Sequence, residues 1–278
     1  MGSTSGRGGW LVVGLFVVLL LGLARCALAH RSAAEVRALV EGRAAVTWVG
    51  IESHPTGPEG FEGPDVHSVS VLMDQDATVD EVWGVFKALD DAVEDGDVEV
   101  IMVTVGGKPA ALATGESIQC EHWMVEDLLM ARRDDQVVGY LFEDFPVLPS
   151  VRIELVPLPF DKSLAYADRY RQHETLESVT IVSGWFLLVR DSGNENQDIT
   201  NARQEMVEHV GQHFELRGAQ VTGRGPLSLY VAPSDVDAVE RYVARVATPD
   251  VGKVVVRTSR PGWATSATPM TTDPPTTR

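Results

Sequence analysis

His209 and His213 stand four residues apart with Glu205 one turn earlier, and two imidazoles at that helical spacing can hold one metal ion. A zincin needs Glu directly after the first histidine. Here that position is Val210 and no third histidine follows, which excludes metalloprotease chemistry. On a helix both histidines lie about 100° around from the Met206–Val210–Phe214 stripe, so they read as a solvated flank. His54, His67, His122 and His173 have no paired spacing. Gly106-Gly107 and Gly223-Arg224-Gly225 are not followed by Gly-Lys-Ser/Thr and read as hairpin turns. Neither a Gly-x-Ser-x-Gly elbow nor an EF-hand loop is present. Cys120 has only carboxylates and His122 nearby, a setting for a buried structural thiol. These residues support no catalytic, cofactor-binding or metal assignment.

The elements that would carry such residues follow from periodicity. Residues 30–42 predict a short helix and Ala45 to Ser53 a strand, before a Pro/Gly-rich loop from His54 to Pro64. Val66 to Asp74 alternates as a strand, and Thr78 with Glu81 forms a capping box for a helix that Gly96 stops. Strands over 97–105 and 109–114, a helix from Ser117 to Arg133 and a strand over 137–142 complete a β-α-β-β-α-β order. The order returns as a strand over 179–189, a helix over 198–216, strands over 219–222 and 227–231, a helix capped by Ser234 and a strand over 253–258. Gly106, Pro109, Ser117 and Val137 are matched by Gly223, Pro226, Ser234 and Val254, all offset by 117.

That order predicts an α+β fold of two tandem ferredoxin-like (βαββαβ) units, over 30–157 and 158–260, with Val151 to Val156 and Ala45 to Ser53 as extra edge strands. A single larger mixed sheet is the runner-up. Several strands are apolar on both faces, so Val100, Val182 and Phe186 are expected to be inaccessible. The two sheets would then pack face to face or join into one, with the helices outermost. Residues 261–278, rich in Thr and Pro, read as a disordered tail.

Composition narrows the partners. The 278 residues hold 40 acidic and 23 basic side chains, a net charge of −17 that repels phosphate backbones and argues against nucleic acid. Residues 1–29 read as a targeting helix. Arg7 precedes an uncharged run from Trp10 to Ala24, too short to span a bilayer comfortably, and Ala27-Leu28-Ala29 suits signal peptidase. Cleavage would make His30 the first residue. An uncleaved anchor and lipidation of Cys26, through Leu23-Ala24-Arg25-Cys26, are the rivals.

This leader with its lipobox-like end, the Asp76–Val82 segment after a strand and the Thr/Pro tail resemble uncharacterised exported, lipoprotein-like envelope proteins of high-GC Gram-positive bacteria. The resemblance implies an extracytoplasmic location and carries over no activity. The expected function is a non-enzymatic cell-envelope binding or scaffold protein, partnered by an envelope protein or a second copy through an apolar sheet face, and by the membrane through residues 1–29. The alternatives are an envelope enzyme with a carboxylate or His/Glu site, and a metal binder using His209 and His213.

Overall fold

The computed structural model describes residues 30–56, 65–115, 121–144, 149–170, 173, 176–191 and 194–264. The leader, Cys26, Ser117, Cys120 and residues 265–278 lie outside them. In chain order the elements are α1 (Ala33–Val40), β1 (Val46–Pro55), β2 (Asp65–Met73), α2 (Val79–Glu94), β3 (Val98–Val105), β4 (Ala110–Thr114), α3 (His122–Arg133) and β5 (Val137–Asp144). Then come β6 (Ser150–Leu155), α4 (Phe160–Asp168), β7 (Ser178–Ser183), β8 (Phe186–Asp191), α5 (Asn194–Gly211), β9 (Leu216–Val221), β10 (Leu227–Val231), α6 (Val236–Val246) and β11 (Val254–Arg257). No helix among the described residues is long and apolar enough to cross a membrane.

Local chemistry sets the helix starts as expected. The Thr78 hydroxyl accepts from the Glu81 N–H at 3.3 Å, while the Glu81 carboxylate accepts from the Thr78 N–H at 2.8 Å. Ser32 and Glu35 repeat this box on α1. Ser234 does not cap α6; its hydroxyl bonds the neighbouring Asp235 carboxylate instead.

The two tandem ferredoxin-like units are not formed. The eleven strands among the described residues make one mixed sheet in simple chain order, β1 to β11. Both folds share the string β-α-β-β-α-β; they differ in which strands become neighbours. In the ferredoxin-like unit each crossover passes over a place that another strand of the unit occupies. Here each helix delivers its strand to the adjacent position, parallel, and each hairpin then adds one antiparallel. The supposed edge strand β6 is therefore central, antiparallel to β5 and parallel to β7, and the sheet runs unbroken past the expected boundary at 157/158.

The unit that repeats is the hairpin plus helix. Its second strands start at Asp65, Ala110, Ser150, Phe186 and Leu227, steps of 45, 40, 36 and 41 residues. The offset of 117 relates β4 to β10 and β5 to β11, three units apart. Two elements break the expected string. Residues 179–189 form a hairpin rather than one strand, turned at Gly184 with φ of +57°, and α4 fills a stretch to which the sequence pattern assigns no element.

Strand register shows which face is covered. Val69, Val71 and Met73 align with Ile101, Val103 and Val105, then with Leu112, Phe142, Val151, Ile153, Ile181, Leu188, Val221 and Leu229; all are buried. They share one face, and α1 to α6 line up across it in contact with neighbouring helices or with these strands. Successive helices join strand pairs that point in opposite directions, yet lie on the same side. The crossovers must therefore alternate in hand, and at least two of the five oppose the usual right-handed preference.

Among the described residues, no second sheet opposes the other face. Val182 is buried there, as expected, but Val100 is only half-buried. Phe186 is half-buried too, on the helical side beside Phe160, with ring centroids 5.5 Å apart.

Candidate functional site

The helix-free face of the sheet divides into two halves. Over β7–β10 it is closed by the chain itself. Trp185 and Trp263 each set an edge against the buried Tyr230, at 6.1 and 6.2 Å between centroids. Pro261 and Ala264, placed in the expected tail, are buried here, and Ser228 is shielded on the same face.

Over β1–β5 the face is open. Trp48 is 43% and Met102 39% exposed, and Val66, Leu72, Val100 and Leu141 are half-buried around them. The far end of the Trp48 indole lies against Gly50, where a side chain would meet its ring. The charges on this face are carboxylates: exposed Glu52, Glu99 beside Ser68 at 3.2 Å, and Glu143 beside Ser150 at 3.2 Å. Neither Lys nor Arg occurs in β1–β5. The first basic side chain beyond them, Arg152 on β6, is held by Glu154 at 2.9 Å.

A second polar constellation lies under the helices, at the carboxyl ends of the parallel strands β4 and β5, where ligands of open α/β sheets commonly bind. Thr114 and Asp144 are register partners there and both are buried. Among the described residues, Asp144 Oδ2 has no hydrogen-bond partner. Burial, with the Glu121 charge second, raises the Asp144 pKa above the usual carboxylate range. Glu121 begins α3 and accepts the Trp123 indole N–H at 2.7 Å; Trp123 stacks on His173 with centroids 3.8 Å apart. One turn along α3, buried Asp127 accepts from the Tyr140 hydroxyl at 2.6 Å and the Tyr170 hydroxyl at 2.5 Å. Burial first, and then nearby negative charge, pushes both phenols up, so they stay protonated donors.

The sign of the Asp144 effect can be tested. A carboxyl whose pKa is raised by folding contributes stability that is present below its unfolded pKa and lost as pH climbs through the folded one. Asp144→Asn should therefore stabilise the protein at pH 7 by about 1–2 kcal/mol, with the gain vanishing near pH 3.5. Urea melts at the two pH values measure it; a gain that does not depend on pH would show that charge burial is not the cause.

The histidines weighed from the sequence are dispersed. His209 and His213 are exposed; the His213 ring lies 2.9 Å from the His209 carbonyl and 3.2 Å from the Tyr242 hydroxyl. His122 pairs with Glu126 at 3.2 Å, and His54 is exposed. Among the described residues, no three or more His, Cys, Asp or Glu side chains gather as a metal site. Asp144 escaped the sequence reading, although strand alternation puts it on the face of Tyr140 and Phe142, where a carboxylate is out of place. No protein-family model, no curated protein and no solved structure matches this chain.

Proposed function

We propose that this chain is an exported cell-envelope protein that binds a basic, partly apolar polypeptide on the open sheet face over β1–β5. The observation that carries the reading is the contrast between the two halves of one face. The chain spends two tryptophans and its last described residues covering β7–β10, and leaves Trp48 and Met102 in water over β1–β5. An aromatic and a flexible thioether are typical anchors of a docking surface. The surrounding Glu52, Glu99 and Glu143, with no cation among these strands, favour a cationic partner and disfavour a second copy of this acidic chain. Extracytoplasmic placement is supported by the leader sequence alone.

A photo-crosslinking side chain at position 102, installed in the producing cell, should give one discrete adduct with a basic polypeptide. The same group at Met130, which is 50% exposed on α3, should give none. Equal adducts from both positions, or none from position 102, would overturn the reading. An adduct of twice the chain mass would replace the partner with self-association.

A further inference from the structure

Ser53 and His67 face each other directly across the β1–β2 ladder, on the helical side of the sheet and away from the open face. The Ser53 Oγ lies 3.0 Å from His67 Nδ1, and His67 Nε2 lies 2.8 Å from the main-chain carbonyl of Arg31. A carbonyl oxygen only accepts, so Nε2 carries a ring hydrogen, and in the imidazole's neutral form Nδ1 presents a lone pair. The group that can fill the gap to Ser53 is then the serine hydroxyl hydrogen, donated to that lone pair. The imidazole is 2% exposed, whereas Ser53 is exposed. A shielded base, oriented by a third group, thus points a hydroxyl proton away from a nucleophile that solvent can reach, the arrangement shared by activated serines on unrelated folds. Behind it lies buried Asp97. Its main-chain carbonyl accepts the His67 N–H at 2.9 Å, and its carboxylate is held by His30 at 2.8 Å and Arg31 at 3.3 Å.

From this geometry we infer that Ser53 and His67 form a nucleophile–base pair for acyl transfer from small activated esters to water. The Ser53 oxygen attacks the ester carbonyl carbon as its proton passes to His67 Nδ1. The tetrahedral adduct expels the alcohol oxygen, which takes that proton, leaving an acyl group on Ser53. Water then attacks the acyl carbon, giving its proton to Nδ1. Collapse of the second adduct returns the proton to Ser53 and frees the carboxylic acid. Ester and water are consumed; acid and alcohol are formed.

The test uses an alkyl fluorophosphonate, which phosphonylates activated serines with loss of fluoride, and an aryl acetate. The full chain should gain one phosphonyl mass that peptide mapping places on Ser53, and Ser53→Ala should gain none. Aryl acetate hydrolysis should fall about 100-fold in Ser53→Ala, the lower end of what positioned proton transfer supplies. His67→Gln, checked for folding by circular dichroism, should be phosphonylated at least about 100-fold more slowly. Should His67→Gln not fold, the exposed Ser53→Ala decides alone. Absence of a Ser53 adduct in the parent, hydrolysis unchanged in Ser53→Ala, or undiminished labelling of folded His67→Gln each overturns the inference. Crosslinking from position 102 should be unaffected by Ser53→Ala, so the two readings fail separately.

Discussion

Replacing Arg203 with Met should lower stability by about 2–3 kcal/mol, because charge-assisted hydrogen bonds are lost and buried acceptors are left without a donor. Arg203 sits in α5, only 5% exposed, and its guanidinium donates to three carbonyl oxygens: Val251 at 3.0 Å, Gly225 at 2.8 Å, and Thr222. Those carbonyls belong to the end of β9, the β9–β10 turn and the segment after α6, so one side chain fastens three pieces of backbone to the helix. Burial pulls the Arg203 pKa down, a sign that the ion is held against a desolvation cost. Methionine preserves most of the volume while leaving the Val251 carbonyl buried with that donor gone. The melting temperature should drop by on the order of 10 °C. Lysine, with a point charge in place of a planar fork, should recover only part of the loss. A change below about 1 kcal/mol in Arg203→Met would mean that water replaces the guanidinium at all three carbonyls.

Arg203 also marks where sequence reading ended. The apolar stripe expected on the helix over 198–216 contains Met206, Val210 and Phe214. The buried side of α5 contains Thr200, Arg203, Gln204 and Val207 beside Met206 and Val210. Periodicity locates an apolar stripe, but it cannot show that neighbouring carbonyls will solvate a guanidinium. Where bonding is local, the residues were sufficient: the Thr78–Glu81 box and the in–out alternation of Val69, Val71 and Met73 stand as read. The failures concern longer range. The string β-α-β-β-α-β does not state whether a crossover lands beside its starting strand or one place further on, and that choice separates two small units from one eleven-stranded sheet. β6 reads as an extra edge strand from the sequence, and in it Arg152 and Glu154 alternate with Val151 and Ile153. Those charges face the helix-free side and pair with one another, so both strand edges stay free for β5 and β7. Ser53 and His67 lie 14 residues apart, and neither is notable until the register of β1 on β2 sets them opposite.

Gly218→Ala should cost at least about 3 kcal/mol, whereas Gly50→Ala should cost about 1 kcal/mol or less. Both glycines lie beneath a tryptophan, and the difference is which part of it they meet. A methyl group at position 50 would run into the far edge of the Trp48 ring, with Cζ2 at 2.8 Å and Cζ3 at 3.0 Å. That ring is 43% exposed and can rotate away into water. At position 218 the added carbon would meet the main chain of Trp185, whose carbonyl carbon would be only 2.6 Å distant and its oxygen and Cβ nearer still. Main chain cannot swing aside. It is fixed by the β7–β8 hairpin on one side and by the parallel pairing of Phe186 with Ala219 on the other. To make room, the strand end carrying Trp185 must lift, drawing its indole from the edge of Tyr230 and loosening the contact between Tyr230 and Trp263. The Gly218→Ala protein should therefore combine a lower urea midpoint with a weakened near-ultraviolet dichroism band from those rings. It should also offer a second open apolar patch around Val182, where the parent has one closed half. Equal and small losses in the two variants would mean that Trp185 is held loosely, and that the cover over β7–β10 is not what distinguishes that half from the open face over β1–β5.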